Sequence, residues 1–127
     1  GIVDVMSRLR QPFNVNLPAQ VAGIAALADI AHTDASRTNN DIWLPWLSAD
    51  LRSLALKPFP SVGNFVSVSF GSRERAAAAN DWMMNDGLIP RMVAGYGLPE
   101  HLRITIGTES EVKAVHASLS RFVAANK

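Results

Sequence analysis

Arginines set among glycines and prolines, three histidines and a complete lack of cysteine define what chemistry this sequence can attempt. Without cysteine there is no thiol nucleophile, no disulfide and no thiolate metal ligand. His32 lies far from the others in sequence, and His101 and His116 show no metal-ligand spacing with a nearby carboxylate, so no metal site is expected. His116 reads as a helix-flank residue and His101 as a loop residue. There is no Gly-x-Ser-x-Gly elbow, no Ser-x-x-Lys and no serine with an obvious histidine and acid set, which removes the hydrolase readings. A phosphate loop is missing too, and Gly95-Tyr96-Gly97 lacks the third glycine and helix start of a dinucleotide fingerprint.

What remains is arginine. A planar guanidinium holds a carboxylate or phosphate through two parallel hydrogen bonds. Arg103 lies in an alternating strand pattern, and Arg91 follows Pro90 just before a glycine-rich loop containing Tyr96. Taken singly, a strand arginine is more often a solvated or ion-paired surface group, because exposed pairs are common and weak. Arg10, Arg37, Arg73, Arg75 and Arg121 read as solubilising charge, mostly on helix surfaces. Trp43, Trp46 and Trp82, beside leucines at helical spacing, read as core or interface aromatics rather than a stacking platform.

These residues need elements to hold them. Apolar positions at 2, 3, 5, 6 and 9 have roughly helical spacing and end at Pro12. Asn16 can cap a helix over 17–30, with Pro18 in its first turn, where a missing amide hydrogen does no harm. Thr33 and Asp34 offer a cap for a second helix to about Leu54, which Pro45 is expected to kink or restart. Pro58 and Pro60 confine 56–60 to an edge strand. The alternation at 65–70 predicts a strand with Val66, Val68 and Phe70 on one face and serines on the other. Ser72 caps a helix that stops at Gly87; 88–92 reads as a short strand and 93–99 as a loop. In 102–106 the apolar Leu102, Ile104 and Ile106 alternate with Arg103 and Thr105, and Thr108 with Glu111 forms a capping box for a terminal helix.

The order helix, helix, strand, strand, helix, strand, strand, helix predicts a two-layer α/β domain, a short, mostly antiparallel sheet with helices packed on one face. Arg103 then belongs to the other face. At 127 residues, 48% hydrophobic and 18% charged, the chain fits one globular domain. A net charge of +1 gives no reason to expect nucleic acid or anionic lipid as partner. There is no run of about 20 apolar residues for a membrane span and no signal segment, so a cytoplasmic protein is expected. The opening lacks a capping signal of its own and reads as the middle of a longer protein.

Five stretches taken together, residues 10–16 (RQPFNVN), 63–66 (GNFV), 88–92 (LIPRM), 95–99 (GYGLP) and 102–108 (LRITIGT), resemble the C-terminal part of histidinol-phosphate aminotransferases in order and spacing. The resemblance covers nearly the whole chain. It implies a fold-type I pyridoxal-phosphate enzyme of histidine biosynthesis, with 1–16 the tail of the large domain and linker and 17–127 the small C-terminal domain. Arg103 would bind the substrate α-carboxylate, Arg91 the substrate phosphate or distal end, and Tyr96 would shape the pocket. Aromatic aminotransferases share much of the pattern, so the substrate is either histidinol phosphate or an aromatic amino acid. Implied partners are the large domain, a small amino-acid substrate and a second subunit in a homodimer. The chain departs from the family's pattern at Pro45, inside a helix that relatives continue, and at Ala55, where they carry glycine. Lys57, Lys113 and Lys127 have none of the setting of the Schiff-base lysine, and the aspartate partner of the pyridinium nitrogen is missing. The chain alone is therefore expected to bind no cofactor covalently and to be inactive. The alternative is a non-catalytic, stand-alone interaction or binding module derived from the same fold.

Overall fold

In the computed structural model residues 1–10 and 13–126 are described; Gln11 and Pro12, expected to end the first helix, and Lys127 lie outside them. The chain forms two compact units, Gly1–Ala35 and Ser36–Lys127. The first contains α1 (Ile2–Leu9) and α2 (Leu17–Ala28). Asn16 caps α2 as expected, its side-chain oxygen accepting the Ala19 N–H at 3.0 Å. Neither helix buries a single residue, although α1 carries Ile2, Val3, Val5, Met6 and Leu9 and α2 is apolar on nearly every side.

Helix α3 (Ile30–Ser53) starts earlier than the sequence suggests. Asp29 supplies its cap instead of Thr33 or Asp34, accepting the His32 N–H at 3.0 Å. Pro45 does not restart it: the helix runs through. A proline costs one hydrogen bond and a steric clash, and here the flanking residues are held by packing, with Leu47 and Leu51 fully buried and Trp43 and Leu44 against the same core. The helix closes in a Schellman motif, Leu56 N–H to Leu51 C=O and Ala55 N–H to Arg52 C=O, both at 3.0 Å. This geometry puts Ala55 at φ 60°, the left-handed region that glycine fills without strain.

A four-stranded antiparallel sheet follows, in the order β1 (Lys57–Pro58), β2 (Phe65–Ser69), β4 (His101–Thr105), β3 (Arg91–Met92). The two proline-flanked strands are the edges, where a missing N–H does least harm. The strand expected over 88–92 is cut to two residues, because Pro90 cannot donate to a ladder and Leu88 N–H is taken by Met83 C=O at the end of α4 (Arg73–Asn85). Ser72 caps α4 through the Arg75 N–H, and Gly87 adopts φ 78° just beyond it. Helix α5 (Glu109–Ala125) opens on the expected box, the Glu111 carboxylate accepting the Thr108 N–H at 2.7 Å and its hydroxyl at 2.8 Å.

Val66, Val68, Phe70, Leu102, Ile104 and Ile106 all face the core, as their alternation requires. Leu47 and Leu51 of α3, Ala76, Ala79 and Met83 of α4, and Val112, Leu119 and Phe122 of α5 complete it. All three helices therefore cover one face of the sheet. Trp82 borders the core beside Phe122, while Trp46 stays on the surface. No helix among the described residues is long and apolar enough to cross a membrane.

Candidate functional site

Directly paired residues of antiparallel strands project to the same side. Val66 pairs with Ile104 and Val68 with Leu102, and these point at the helices. The intervening pairs must point the other way: Ser67 lies opposite Arg103, and Arg103 in turn opposite Arg91. One row across three strands thus reads Ser67, Arg103, Arg91 on the face turned away from α3, α4 and α5. The next row carries Lys57, Ser69 and His101.

The loop before β4 bends over this row. Ala94–Tyr96 forms one 3-10 turn, and Gly97 at φ 78° turns the chain back, a conformation other residues rarely adopt. Tyr96 is thereby brought to the arginines, its hydroxyl accepting a hydrogen bond from Arg91 Nη2 at 3.1 Å with the Arg91 guanidinium 5.8 Å from its ring. Phe65 supports Arg103, whose guanidinium carbon lies 5.1 Å from the ring centroid. Phe65, Ser67, Val93, Tyr96, Leu98 and Arg103 line a hollow of about 220 Å³.

All three residues singled out from the sequence converge here: Arg103 and Tyr96 on the hollow, Arg91 beside both. Ser67 and Phe65 were not singled out. The alternation at 65–70 already sent Ser67 to the reverse face, but only the strand register places it opposite Arg103.

The electrostatics are unusual for a sheet. Two like charges occupy directly opposed positions, an arrangement that destabilises strand pairing. Among the described residues no carboxylate pairs with either arginine, whereas Arg8 is bound to Asp4 and Arg121 to Asp86. Arg103 Nε and Ser67 Oγ are buried and make no hydrogen bond. Such unsatisfied groups are costly and uncommon, and an anion entering the hollow would relieve both the repulsion and the missing bonds.

The other polar groups are already engaged in holding the fold. Asp86 accepts from Ser118 at 2.6 Å and Arg121 at 2.7 Å, and these partners, the Ser118 hydroxyl foremost, hold its carboxyl below the usual carboxylate range. Glu111 is likewise lowered by its bonds from the Thr108 backbone and side chain. His116 and Asp50 meet at 2.6 Å and tie α5 to α3. His101, expected in a loop, is instead the first residue of β4 and 3% exposed, because its pairing with Ser69 extends the strand and the Phe59 ring covers it at 4.6 Å. A larger hollow of about 440 Å³ touches Met83, Leu88, Ile89, Ile104 and Val115, but its one ionisable residue is the cap-bound Glu111. No group of histidine, aspartate and glutamate able to hold a metal occurs among the described residues.

Comparison with known proteins agrees with the fold. The family model "Aminotransferase class I and II" matches residues 1–119. The histidinol-phosphate aminotransferase of Paramagnetospirillum magneticum is 45% identical over 127 residues, covering 98% of this chain and 35% of that protein. Its counterpart in Rhodospirillum rubrum is 46% identical over 125 residues, covering 97% and 34%. The chain thus spans about a third of the length of the curated relatives it matches, in their C-terminal part. Among solved structures, the histidinol-phosphate aminotransferase of Sinorhizobium meliloti in complex with pyridoxal 5'-phosphate superposes with a TM-score of 0.72 at 28% identity, over 97% of this chain and 34% of that one. A Burkholderia pseudomallei structure shares the fold at 23% identity and a TM-score of 0.78, over 96% and 37%.

Proposed function

Because this chain belongs to the class I and II aminotransferase family, we propose that it is the C-terminal, substrate-binding part of a pyridoxal-phosphate-dependent aminotransferase of the histidinol-phosphate type. One observation carries the reading: two arginines, without acidic partners among the described residues, side by side on the face of the sheet turned away from α3, α4 and α5. Amino-group transfer between glutamate and histidinol phosphate presents a carboxylate on the reacting carbon of one substrate and, on the other, a phosphate carried one CH2–O further out from that carbon. Arg103, in the walled hollow, suits the α-carboxylate; Arg91, on the exposed edge strand, suits the phosphate. Tyr96 holds Arg91 in position and closes the hollow between them.

Pyridoxal phosphate would supply the electron sink for the transfer. The described lysines of this chain do not fit its anchor. Lys57 is exposed on edge strand β1, and Lys113 is ion-paired with Glu109 on α5. The cofactor is therefore assigned to polypeptide beyond this chain, and the role of Arg103 and Arg91 is to bind and orient. The same reading makes 1–16 the tail of a large domain and linker and 17–127 the small domain. The exposed apolar residues of α1 and α2 support a partner surface supplied by that large domain, in a cytoplasmic homodimer.

The test is Arg103→Ala in the full-length protein. Two charge-assisted hydrogen bonds are together worth about 3 kcal/mol or more, so kcat/KM for glutamate should fall by roughly 100-fold or more. A carboxylate dependence that does not change would remove the assignment.

A further inference from the structure

We propose that Ser67 is a second positioning donor for the substrate carboxylate, acting with Arg103 as a two-residue clamp across β2 and β4; this rests on the aminotransferase reading above. The family match does not single out this serine; the register does. Ser67 and Arg103 are directly opposed, share the face turned away from α3, α4 and α5 and line the same hollow. Each also carries a buried polar atom with no hydrogen-bond partner, Ser67 Oγ and Arg103 Nε. The neighbouring serine on that face differs: Ser69 Oγ accepts the Gly71 N–H at 3.2 Å and has a structural task. Ser67 has none, and a β-branched residue would suit the strand better.

A carboxylate explains both loose ends. It has two oxygens and about four acceptor positions. One oxygen can accept from the Arg103 guanidinium, while the Ser67 hydroxyl donates to the other. Neither oxygen then needs the exposed Arg91, which stays available for an anion carried further out from the reacting carbon. Phe65, stacked on the guanidinium, limits the angles at which Arg103 can meet the ligand. A carboxylate centred between strands β2 and β4 is thus favoured over one reached from the edge.

The experiment uses the full-length, cofactor-loaded protein and compares Ser67→Val with Ser67→Thr, which have the same shape and differ by the hydroxyl. Each is assayed with glutamate, which carries the carboxylate, and with histidinol phosphate, which has none. Losing a hydroxyl that bonds a charged group predicts a fall of roughly 10- to 100-fold in kcat/KM for glutamate in S67V, mainly through KM. S67T should stay within about threefold of wild type by the same reasoning, and histidinol phosphate, whose phosphate lies further from the reacting carbon and falls to Arg91, should lose less in S67V than glutamate does. Equal losses for both substrates would make Ser67 a packing residue, and equal activity of S67V and S67T would show that the hydroxyl is idle; either overturns the clamp. A wild-type protein that takes no amino group from glutamate would instead defeat the aminotransferase reading, and the clamp with it.

Discussion

Replacing Arg91 by glutamine removes one of two positive charges that β3 and β4 hold directly opposite each other, yet keeps an N–H that can reach the Tyr96 hydroxyl. Long side chains from directly paired positions place their charges roughly 6–8 Å apart. At the exposed edge of the sheet the surrounding dielectric is close to that of water, so the repulsion is about 0.5–1 kcal/mol at low salt. It is largely screened at 1 M salt, where the Debye length is about 3 Å. Against this stands the stacking of Arg91 on the Tyr96 ring, about 0.5 kcal/mol at an exposed site. Salt reduces that loss far less than the repulsion, so the diagnostic quantity is the change with ionic strength. Relative to wild type, R91Q should be more stable by about 0.5 kcal/mol in 10 mM than in 1 M sodium chloride, about 2 °C in Tm for a domain of this size. Thermal unfolding followed by circular dichroism at the two salt concentrations measures it. Inorganic phosphate added at constant ionic strength should raise the wild-type Tm and leave that of R91Q nearly unchanged, since a ligand stabilises only the state that binds it. A stability difference that is identical at both salt concentrations, with equal responses to phosphate, would refute both the coupling of the arginines and the anion site built on it.

Two further substitutions test the scaffold. Ala55→Gly should stabilise the protein by about 1 kcal/mol, because Ala55 is held at φ 60° by the Schellman bonds that close α3; an unchanged or lower Tm would mean that the turn relaxes in solution. Asp86→Asn should lower stability at neutral pH and flatten the acid limb of the stability curve. The carboxyl is held below its usual value in the folded state, so its stabilisation is present at neutral pH, starts to fade as pH falls past about 4, and is lost as pH drops through the lowered value. The wild type should therefore lose more stability on acidification than D86N, and superimposable acid limbs would count against the Ser118 and Arg121 contacts.

How far the sequence revealed this protein depended on whether local chemistry or register decided the outcome. Local rules located the Asn16 cap, the Thr108–Glu111 box, the stop at Gly87 and the inward faces of 65–70 and 102–106, because each follows from residues a few positions apart. They failed where packing overrode propensity. Pro45 did not restart α3, since Trp43 and Leu44 before it and Leu47 and Leu51 after it pack on the same core. His101 joined a strand because Ser69, 32 positions earlier, pairs with it, and no window of the sequence contains that information. The site divides in the same way. Arg103, Arg91 and Tyr96 could be picked out by residue type and motif, but Ser67 needed the alignment of β2 with β4.

That alignment also explains why the residues of the proposed site are on one face and the stabilising residues on the other. A five-residue strand such as β4 gives alternate side chains to each side, so Leu102 and Ile104 bind the helices while Arg103 is left outside the core. Fixing the inner residues in a close-packed core fixes the outer ones in position too, since a slip of one residue would exchange the faces completely. The orientation of Arg103 is therefore secured by apolar burial that involves no part of the ligand. A sheet held this firmly can keep two guanidiniums together and a serine hydroxyl unbonded, strains that a mobile loop would relax away, and so present an anion with donors already in place rather than donors that must be ordered on binding.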